Sequence, residues 1–296
     1  MRKSRKYHGW PLVVLLGVFL AGQGCEEQAV SPGQTAAPNL SSLQGGPMPL
    51  REAKQMAKRC MQNLPAEESG DAKLRETFEN RIVVMLADPE PTHRVEAAED
   101  LGELRRREAI DALLLAAGDG EPERAVRVAA ITSLGWIGDT TCALSVAQRL
   151  SDPAVDVRIT AAKTLARLSN PATIDALTKA LRDPEARVRS SAAGALGWLR
   201  DPKACPAVIA ALKDEDASVR ASAAGALGLL GEAKSADALI EALQDPAPLV
   251  RYLSASALGK LGEARASGAL EPLRKDPDPA VRKAAQLALD KLKKTH

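Results

Sequence analysis

The chain has 296 residues, of which 45% are hydrophobic but only 2% are aromatic. A single compact core of this size normally needs more Phe, Tyr and Trp to fill its volume, so the composition argues against one large globule and favours closely packed helices. The 40 Lys and Arg residues nearly balance the 38 Asp and Glu residues, which excludes the strongly basic surface of a general nucleic-acid binder.

A secretion signal is predicted over residues 1–25. A basic start is followed by an apolar stretch from Trp10 to Ala21 and by small residues before Cys25. The stretch is shorter than the about 20 residues that a membrane-spanning helix needs. Removing this segment takes four basic residues from the 40 and leaves 36, so the net charge of the remaining chain is −2.

Gly24-Cys25 resembles the lipobox of bacterial lipoproteins, in which the Cys is lipidated and becomes the new N-terminus. The resemblance implies lipidation of Cys25, a periplasmic or cell-envelope location, and membrane contact only through the anchor. Simple secretion and an N-terminal tail without a targeting role are the alternatives. Residues 26–48 are rich in Gly, Pro, Ser, Gln and Ala, which predicts a flexible linker.

An Arg recurs at a fixed interval through the rest of the chain and marks a sequence repeat. The first interval is 33 residues and the other five are 31: Arg94, Arg127, Arg158, Arg189, Arg220, Arg251 and Arg282. Most of these Arg residues have an Asp six positions earlier: Asp88, Asp152, Asp183, Asp214, Asp245 and Asp276. In the odd repeat Asp119 lies eight positions before Arg127, which predicts a two-residue insertion near Gly120.

Each repeat is predicted to form two helices joined by a short turn. Asp152-Pro153 is expected to start a first helix, because an Asp carboxylate caps free N–H groups and Pro suits the first helical position. Asn170-Pro171 and Asp201-Pro202 are expected to start second helices in the same way. The apolar residues after Asp152 share one helical face: Val157, Ala161, Leu165 and Leu168. Since neither helix is apolar enough to stand alone, stacking of successive pairs must supply the core.

Small residues predict close packing between these helices. Ala161, Ala192 and Ala223 occupy equivalent positions in successive repeats. Gly194 and Gly225 lie inside predicted helices, where Gly costs about 1 kcal/mol relative to Ala, so we expect both to be packing residues at close helix approaches. The Leu-Gly-x-Leu-Gly segments are expected to end the first helices.

The pattern Asp-Pro-x-x-x-Val-Arg, followed by Ala-Ala-x-x-Leu-Gly-x-Leu-Gly, resembles the HEAT-like repeats named after phycobilin lyases. The clearest copies are 183–197 and 219–231, and the resemblance covers residues 88–293. It implies an all-α, right-handed α-solenoid of about seven stacked HEAT-like helix pairs. Residues 49–87 are interpreted as a degenerate N-terminal capping repeat, and residues 88–296 as the HEAT-like repeats with a C-terminal capping helix.

In this family the Asp and Arg often form a ladder between neighbouring repeats. The resemblance implies a structural role for these positions here: Asp152, Arg158, Asp183, Arg189, Asp214, Arg220, Asp245 and Arg251. The alternative is a capping Asp beside a solvated Arg, a pair worth about 0–1 kcal/mol.

No catalytic, cofactor-binding or metal-binding residue is predicted. The chain has three His residues, at positions 8, 93 and 296, and none is followed by Glu. Deoxyhypusine hydroxylase, an enzyme with similar repeats, binds iron through His-Glu pairs, so its activity is not transferred. Cys60, Cys142 and Cys205 lie in separate repeats and are expected to be buried single thiols. A chromophore lyase is the other enzymatic alternative, disfavoured by the scarcity of aromatic and His residues.

The function predicted from these features is a non-enzymatic protein–protein interaction scaffold outside the cytoplasm, which binds an unknown protein partner on the solenoid surface and is itself a monomer. The position nine residues after each repeat Arg varies too much for a core position, and Trp136, Arg167 and Trp198 are predicted to form a contact ridge there. The alternative is that each Trp covers the adjoining loop. A second variable column has three Asp residues that would suit a basic partner: Asp111, Leu144, Asp175, Pro206, Asp237 and Gly268.

Overall fold

The computed structural model describes residues 47–62 and 72–294, and these residues form α-helices and short 3-10 turns without a β-strand. The first helices of the repeats are α3 Pro91–Glu103, α5 Arg124–Ile137, α7 Val155–Leu168, α9 Ala186–Leu199, α11 Ala217–Leu230, α13 Pro248–Leu261 and α15 Pro279–Lys294. The second helices are α4 Ile110–Ala116, α6 Ala143–Gln148, α8 Ile174–Ala180, α10 Cys205–Ala211, α12 Ala236–Ala242 and α14 Ser267–Leu270. Helices α1 Leu50–Gln62 and α2 Ala72–Ala87 precede them.

Each first helix packs against the first helix of the next repeat, from α3 through to α15. Each second helix is shorter and packs against the first helix that follows it. Side chains at the predicted buried positions are fully covered, among them Val157, Ala161 and Leu165 at 0% exposure. The all-α solenoid of HEAT-like helix pairs is therefore confirmed, and its core lies between layers, as expected of repeats that bury their apolar faces only against neighbours.

The first two helices and the last helix pair lie at the ends of the stack. Helices α1 and α2, within the residues interpreted as a degenerate capping repeat, pack against each other and against the first repeat. In the last repeat, α14 has only four residues and continues as a 3-10 turn through Glu271–Lys275. Pro272 lies in that turn, since it lacks the N–H that an α-helix would need there. The predicted signal, Cys25 and most of the predicted linker lie outside the described residues.

The expected helix start at Asp152-Pro153 is wrong by two residues. Helix α7 begins at Val155, and the Asp152 carboxylate accepts a hydrogen bond from the Ala154 N–H at 2.8 Å within the preceding turn. The Asp152 and Pro153 carbonyls accept hydrogen bonds from Arg158 Nη1, and the first carbonyl of the helix is that of Ala154, which accepts from the Arg158 N–H. Asn170 and Asp201 do cap the 3-10 turns that lead into α8 and α10.

The packing role expected of Gly194 and Gly225 is also wrong. A Cβ placed on either residue would meet nothing within 4 Å. The close approach lies instead at the Gly that directly follows the repeat Leu, where a Cβ on Gly197 would be 2.6 Å from the Ala226 Cα. Only the last Gly of each segment ends a helix: Gly231, for example, has a φ of 72° in the left-handed region that suits glycine.

Ser254 is a polar residue at a core position that is Ala in the other repeats. Three residues after the Arg, the other six repeats have Ala, whereas Ser254 is buried at 0% exposure and its hydroxyl has no hydrogen-bond partner among the described residues. Ser254→Ala should therefore raise the free energy of unfolding by about 1 kcal/mol, because it removes an unsatisfied buried hydroxyl. Urea denaturation measures the change, with the partnered Ser133→Ala as a destabilising control, since the Ser133 hydroxyl donates to the Ala98 carbonyl at 2.8 Å. A lower midpoint for Ser254→Ala would contradict the prediction.

Candidate functional site: the arginine ladder and the exposed tryptophan column

The repeat Arg residues form a ladder of ion pairs between successive layers. Arg158 donates from Nε and Nη2 to both carboxylate oxygens of Asp183, at 2.7 and 2.9 Å. The same two-bond arrangement joins the other rungs: Arg94–Glu121, Arg127–Asp152, Arg189–Asp214, Arg220–Asp245 and Arg251–Asp276. Nη1 of each Arg donates to the carbonyls five and six residues before it, as in Arg158. Each guanidinium thus ties its own turn to the next turn in the stack.

Glu121 replaces Asp in the first rung, which the sequence analysis missed. It lies six residues before Arg127, the position that Asp has elsewhere, and accepts hydrogen bonds from Arg94 at 2.8 and 3.1 Å. Asp119, the acid singled out from the sequence, pairs instead with Arg149. The signal was present in the sequence, because Glu121 lies six residues before Arg127 and its side chain ends in the same carboxylate as Asp.

The pKa is lowered, which favours the charged form, at four ladder acids: Asp183, Asp214, Asp245 and Asp276. Burial alone would raise the pKa of Asp183, but hydrogen bonds from Arg158 and from the Glu185 N–H lower that pKa below its ordinary value. At Asp276 the hydrogen bond from Arg251 is the largest effect, and the pKa is again lowered. Ladder side chains are 1–14% exposed in the five rungs from Arg127 onwards, so these pairs are largely shielded from water.

These lowered pKa values predict loss of stability in acid. A carboxyl whose pKa is lower in the folded state contributes its full stabilisation above the ordinary value of about 3.9, and loses it as the pH falls through the folded pKa. Urea midpoints should therefore fall steeply between about pH 5 and about pH 2. Asp276→Asn, which removes one such carboxyl, should show a smaller fall over the same range. If the urea midpoints of Asp276→Asn fall as steeply with pH as those of the unmodified chain, the Arg251–Asp276 pair has no role in the loss of stability in acid.

The predicted contact ridge is only partly exposed. Trp198 is 60% exposed at the end of α9, and Arg167 is exposed at the end of α7, whereas Trp136 is half-buried. The aliphatic part of the Arg167 side chain lies against α5 of the preceding layer. Its Cδ would be 3.6 Å from a Cβ added to Gly135. The structure thus places Arg167 beside the helix of Trp136, and Trp198 stands one layer further along the stack.

The second variable column is exposed as well, on the short second helices. Asp111, Asp175 and Asp237 are all exposed, and Asp237 pairs with Arg265 of the next repeat at 2.8 Å. An open cleft of ≈ 680 Å³ beside α6 and α8 is lined by Asp175 and Lys179, together with ladder residues. Of the ladder groups in this lining, Arg158 and Asp183 pair with each other.

The reactive side chains do not converge within the described residues. Cys60, Cys142 and Cys205 are buried and unbridged, as expected. Burial is the main cause that raises the pKa of Cys60 and of Cys142 to about 11, which disfavours the thiolate. His93 is exposed and contacts Asp88 at 3.2 Å. In residues 47–62 and 72–294, no group of three or more His, Cys, Asp or Glu is placed to hold a metal ion.

None of the described helices has the length and apolar character needed to span a bilayer.

Comparison with known proteins gives one family. The model for HEAT repeats matches residues 79–147, 143–224 and 206–290. No curated protein matches the chain by sequence.

Among solved structures, YibA of Escherichia coli has a TM-score of 0.54 at 19% identity, over 84% of this chain and 99% of that one. An archaeal HEAT-like repeats protein from Thermococcus onnurineus has a TM-score of 0.53 at 18% identity, over 74% of this chain and 97% of that one. The CpcE–CpcF complex of phycocyanin lyase from Nostoc has a TM-score of 0.45 at 21% identity, over 89% and 100%. The first two show the fold alone.

Proposed function

Because the chain belongs to the HEAT repeat family, we propose that it is a non-enzymatic scaffold that binds a protein partner outside the cytoplasm. The observation that carries the proposal is the exposure of Trp198, in a chain with seven aromatic residues in all. A Trp side chain that is 60% exposed contributes little to folding through burial. Trp and Arg are among the residues most enriched in interface hot spots, so a role in binding would explain its exposure. Trp136 and Arg167 extend the proposed contact to two further layers.

The location belongs to the same proposal. The basic and apolar segment ending at Cys25 supports export with a lipid anchor, and simple secretion is the alternative. Residues 26–48 would then tether the repeats to the membrane. We propose that the protein acts as a monomer, with the partner unidentified.

Site-specific photo-crosslinking tests the binding surface. A photoreactive residue at position 198 should capture a defined partner in intact cells, and one at position 167 should capture the same protein. Glu241 on α12 is a matched control position, since its side chain is 71% exposed on a second helix. Equal capture of the same protein from 198 and 241 would argue against this surface. Loss of capture from the probe at position 167 in Trp136→Ala/Trp198→Ala, with helicity unchanged by circular dichroism, would support it.

The absence of catalysis is a separate prediction. We expect the purified protein to contain no stoichiometric iron and to show no visible absorption band from a bound pigment. Elemental analysis and an absorption spectrum measure both on the same sample. A metal-to-protein ratio of about one, retained after dialysis against a weak chelator, would favour the hydroxylase type of enzyme, and a tetrapyrrole band would favour the lyase type.

A further inference from the structure

Apolar side chains are exposed along one side of the C-terminal half of the stack. In each first helix, the residues two before and two, five and nine after the repeat Arg form one outward stripe at helical spacing, here called the first-helix stripe. Trp198 on α9, Leu249 on α13 and Leu287 on α15 belong to it and are 60%, 55% and 53% exposed. Neighbouring first helices are in contact, so these side chains share one continuous surface.

The charge of this surface is one-sided. Helices α9, α11, α13 and α15 contain a single acidic residue, Asp290, which accepts a hydrogen bond from Gln286 at 2.9 Å. Lys260 on the first-helix stripe of α13 and Lys283, one position before a stripe residue on α15, are exposed and form no ion pair within the described part of the chain. The apolar side chains are thus bordered by positive charge that the protein itself does not neutralise.

The opposite end of the stack has the reverse charge. On α3 the first-helix stripe contains Glu96, Glu99 and Glu103. Partial burial, followed by repulsion from Asp100, Glu103 and Glu96, raises the pKa of Glu99. An acidic ligand would therefore be repelled at α3 and attracted between α9 and α15.

The centre of the surface is recessed. Gly194 and Gly225 lie on the first-helix stripe of adjacent helices, and the space beyond each Cα is open. Ser191 and Ser222 are one turn earlier on the same helices. A recess between larger side chains accepts the ridge of a helix, which can pack closely where both partners are small. A flat bilayer surface would not fill it.

We propose that the first-helix stripe of α9, α11, α13 and α15 binds an acidic amphipathic helix of a partner protein. This deepens the proposed function and rests on it. The apolar face of the helix packs over Gly194 and Gly225 between Trp198 and the leucines, while its carboxylates pair with Lys260 and Lys283. The distribution of charge fixes which end of the stack it occupies.

A synthetic amphipathic peptide of Leu and Glu, labelled with a fluorophore, is the probe. Its binding to the folded chain, followed by anisotropy, should weaken as salt is raised. Lys260→Glu/Lys283→Glu should weaken binding by about tenfold or more, because attraction is replaced by repulsion. The matched control Lys179→Glu/Lys275→Glu, on exposed residues of the second-helix side, should change it by less than about twofold. Equal binding of a peptide with Lys in place of Glu would overturn the proposal.

Gly194→Gln/Gly225→Gln separates binding from folding. The new side chains project into open space and improve helix propensity, so thermal stability should rise while peptide binding is lost. A more stable variant that binds the peptide unchanged would overturn the recess as the binding site. Binding of anionic phosphatidylglycerol vesicles without binding of the peptide would also overturn the proposal, in favour of a membrane surface. If the peptide does not bind but crosslinking at position 198 still captures a partner, the scaffold function is supported and the acidic-helix partner is contradicted.

Discussion

Asp152→Ala is expected to lower the free energy of unfolding by about 3–5 kcal/mol, the cost of removing one partner of a buried ion pair. The Asp152 side chain is 1% exposed and that of Arg127 is 9% exposed. Without the carboxylate, Arg127 Nε and Nη2 lose acceptors at 3.0 and 3.1 Å and stay buried with a full charge. The Ala154 N–H loses its acceptor as well. Urea denaturation measures the loss.

The chain supplies a control for this prediction at the end of its own ladder. Arg282 is exposed and, among the described residues, its side chain donates only to the carbonyls of Asp276 and Pro277. Arg282→Ala should therefore cost less than about 1 kcal/mol. The double variant Arg127→Met/Asp152→Leu should be less destabilised than Asp152→Ala, since neither charge is then left unpaired. Equal losses for Asp152→Ala and Arg282→Ala would show that rung burial contributes nothing.

Gly197→Ala and Gly194→Ala should have opposite effects although they lie three residues apart on α9. A Cβ on Gly197 would come within 2.6 Å of the Ala226 Cα and 2.7 Å of its Cβ, so α9 and α11 must move apart. Overpacking of this kind typically costs about 1–3 kcal/mol. At Gly194 the added methyl meets no atom within 4 Å, and the gain in helix propensity is about 1 kcal/mol.

Thermal and urea unfolding of both variants measure these changes, with circular dichroism to confirm equal helix content. Gly225→Ala repeats the test one layer further along, where the Cβ also meets nothing within 4 Å, and should match Gly194→Ala. Destabilisation by Gly194→Ala would mean that this position packs against something in solution. Tolerance of Gly197→Ala would mean that the layers are looser than the structure has them.

Local signals in the sequence located most of the helices. The degenerate pair expected over residues 50–63 and 71–87 forms α1 Leu50–Gln62 and α2 Ala72–Ala87. Asn170 and Asp201 cap their turns because their side chains reach an N–H two residues away, a contact that depends on neighbouring residues alone. The buried face of α7 followed from helical spacing for the same reason.

Contacts between layers explain what was missed. Leu249 and Leu287 are exposed at two stripe positions where the other repeats have polar or small residues, and an apolar residue at such a position was the available signal. Trp136 and Trp198 share a column, yet one is half-buried and the other is 60% exposed, because burial depends on the layer beside each of them.

The sequence by itself determined the 31-residue repeat, the helix pairs and their apolar faces, since each follows from spacing along one chain segment. Only the tertiary structure decided that Asp152 precedes its helix by a turn, that Glu121 completes a rung, and that Gly197 rather than Gly194 is the close contact. The last two outcomes depend on contacts between residues 27 and 29 positions apart, Arg94 with Glu121 and Gly197 with Ala226. Such contacts exist only once the layers have stacked, because no single repeat contains both partners.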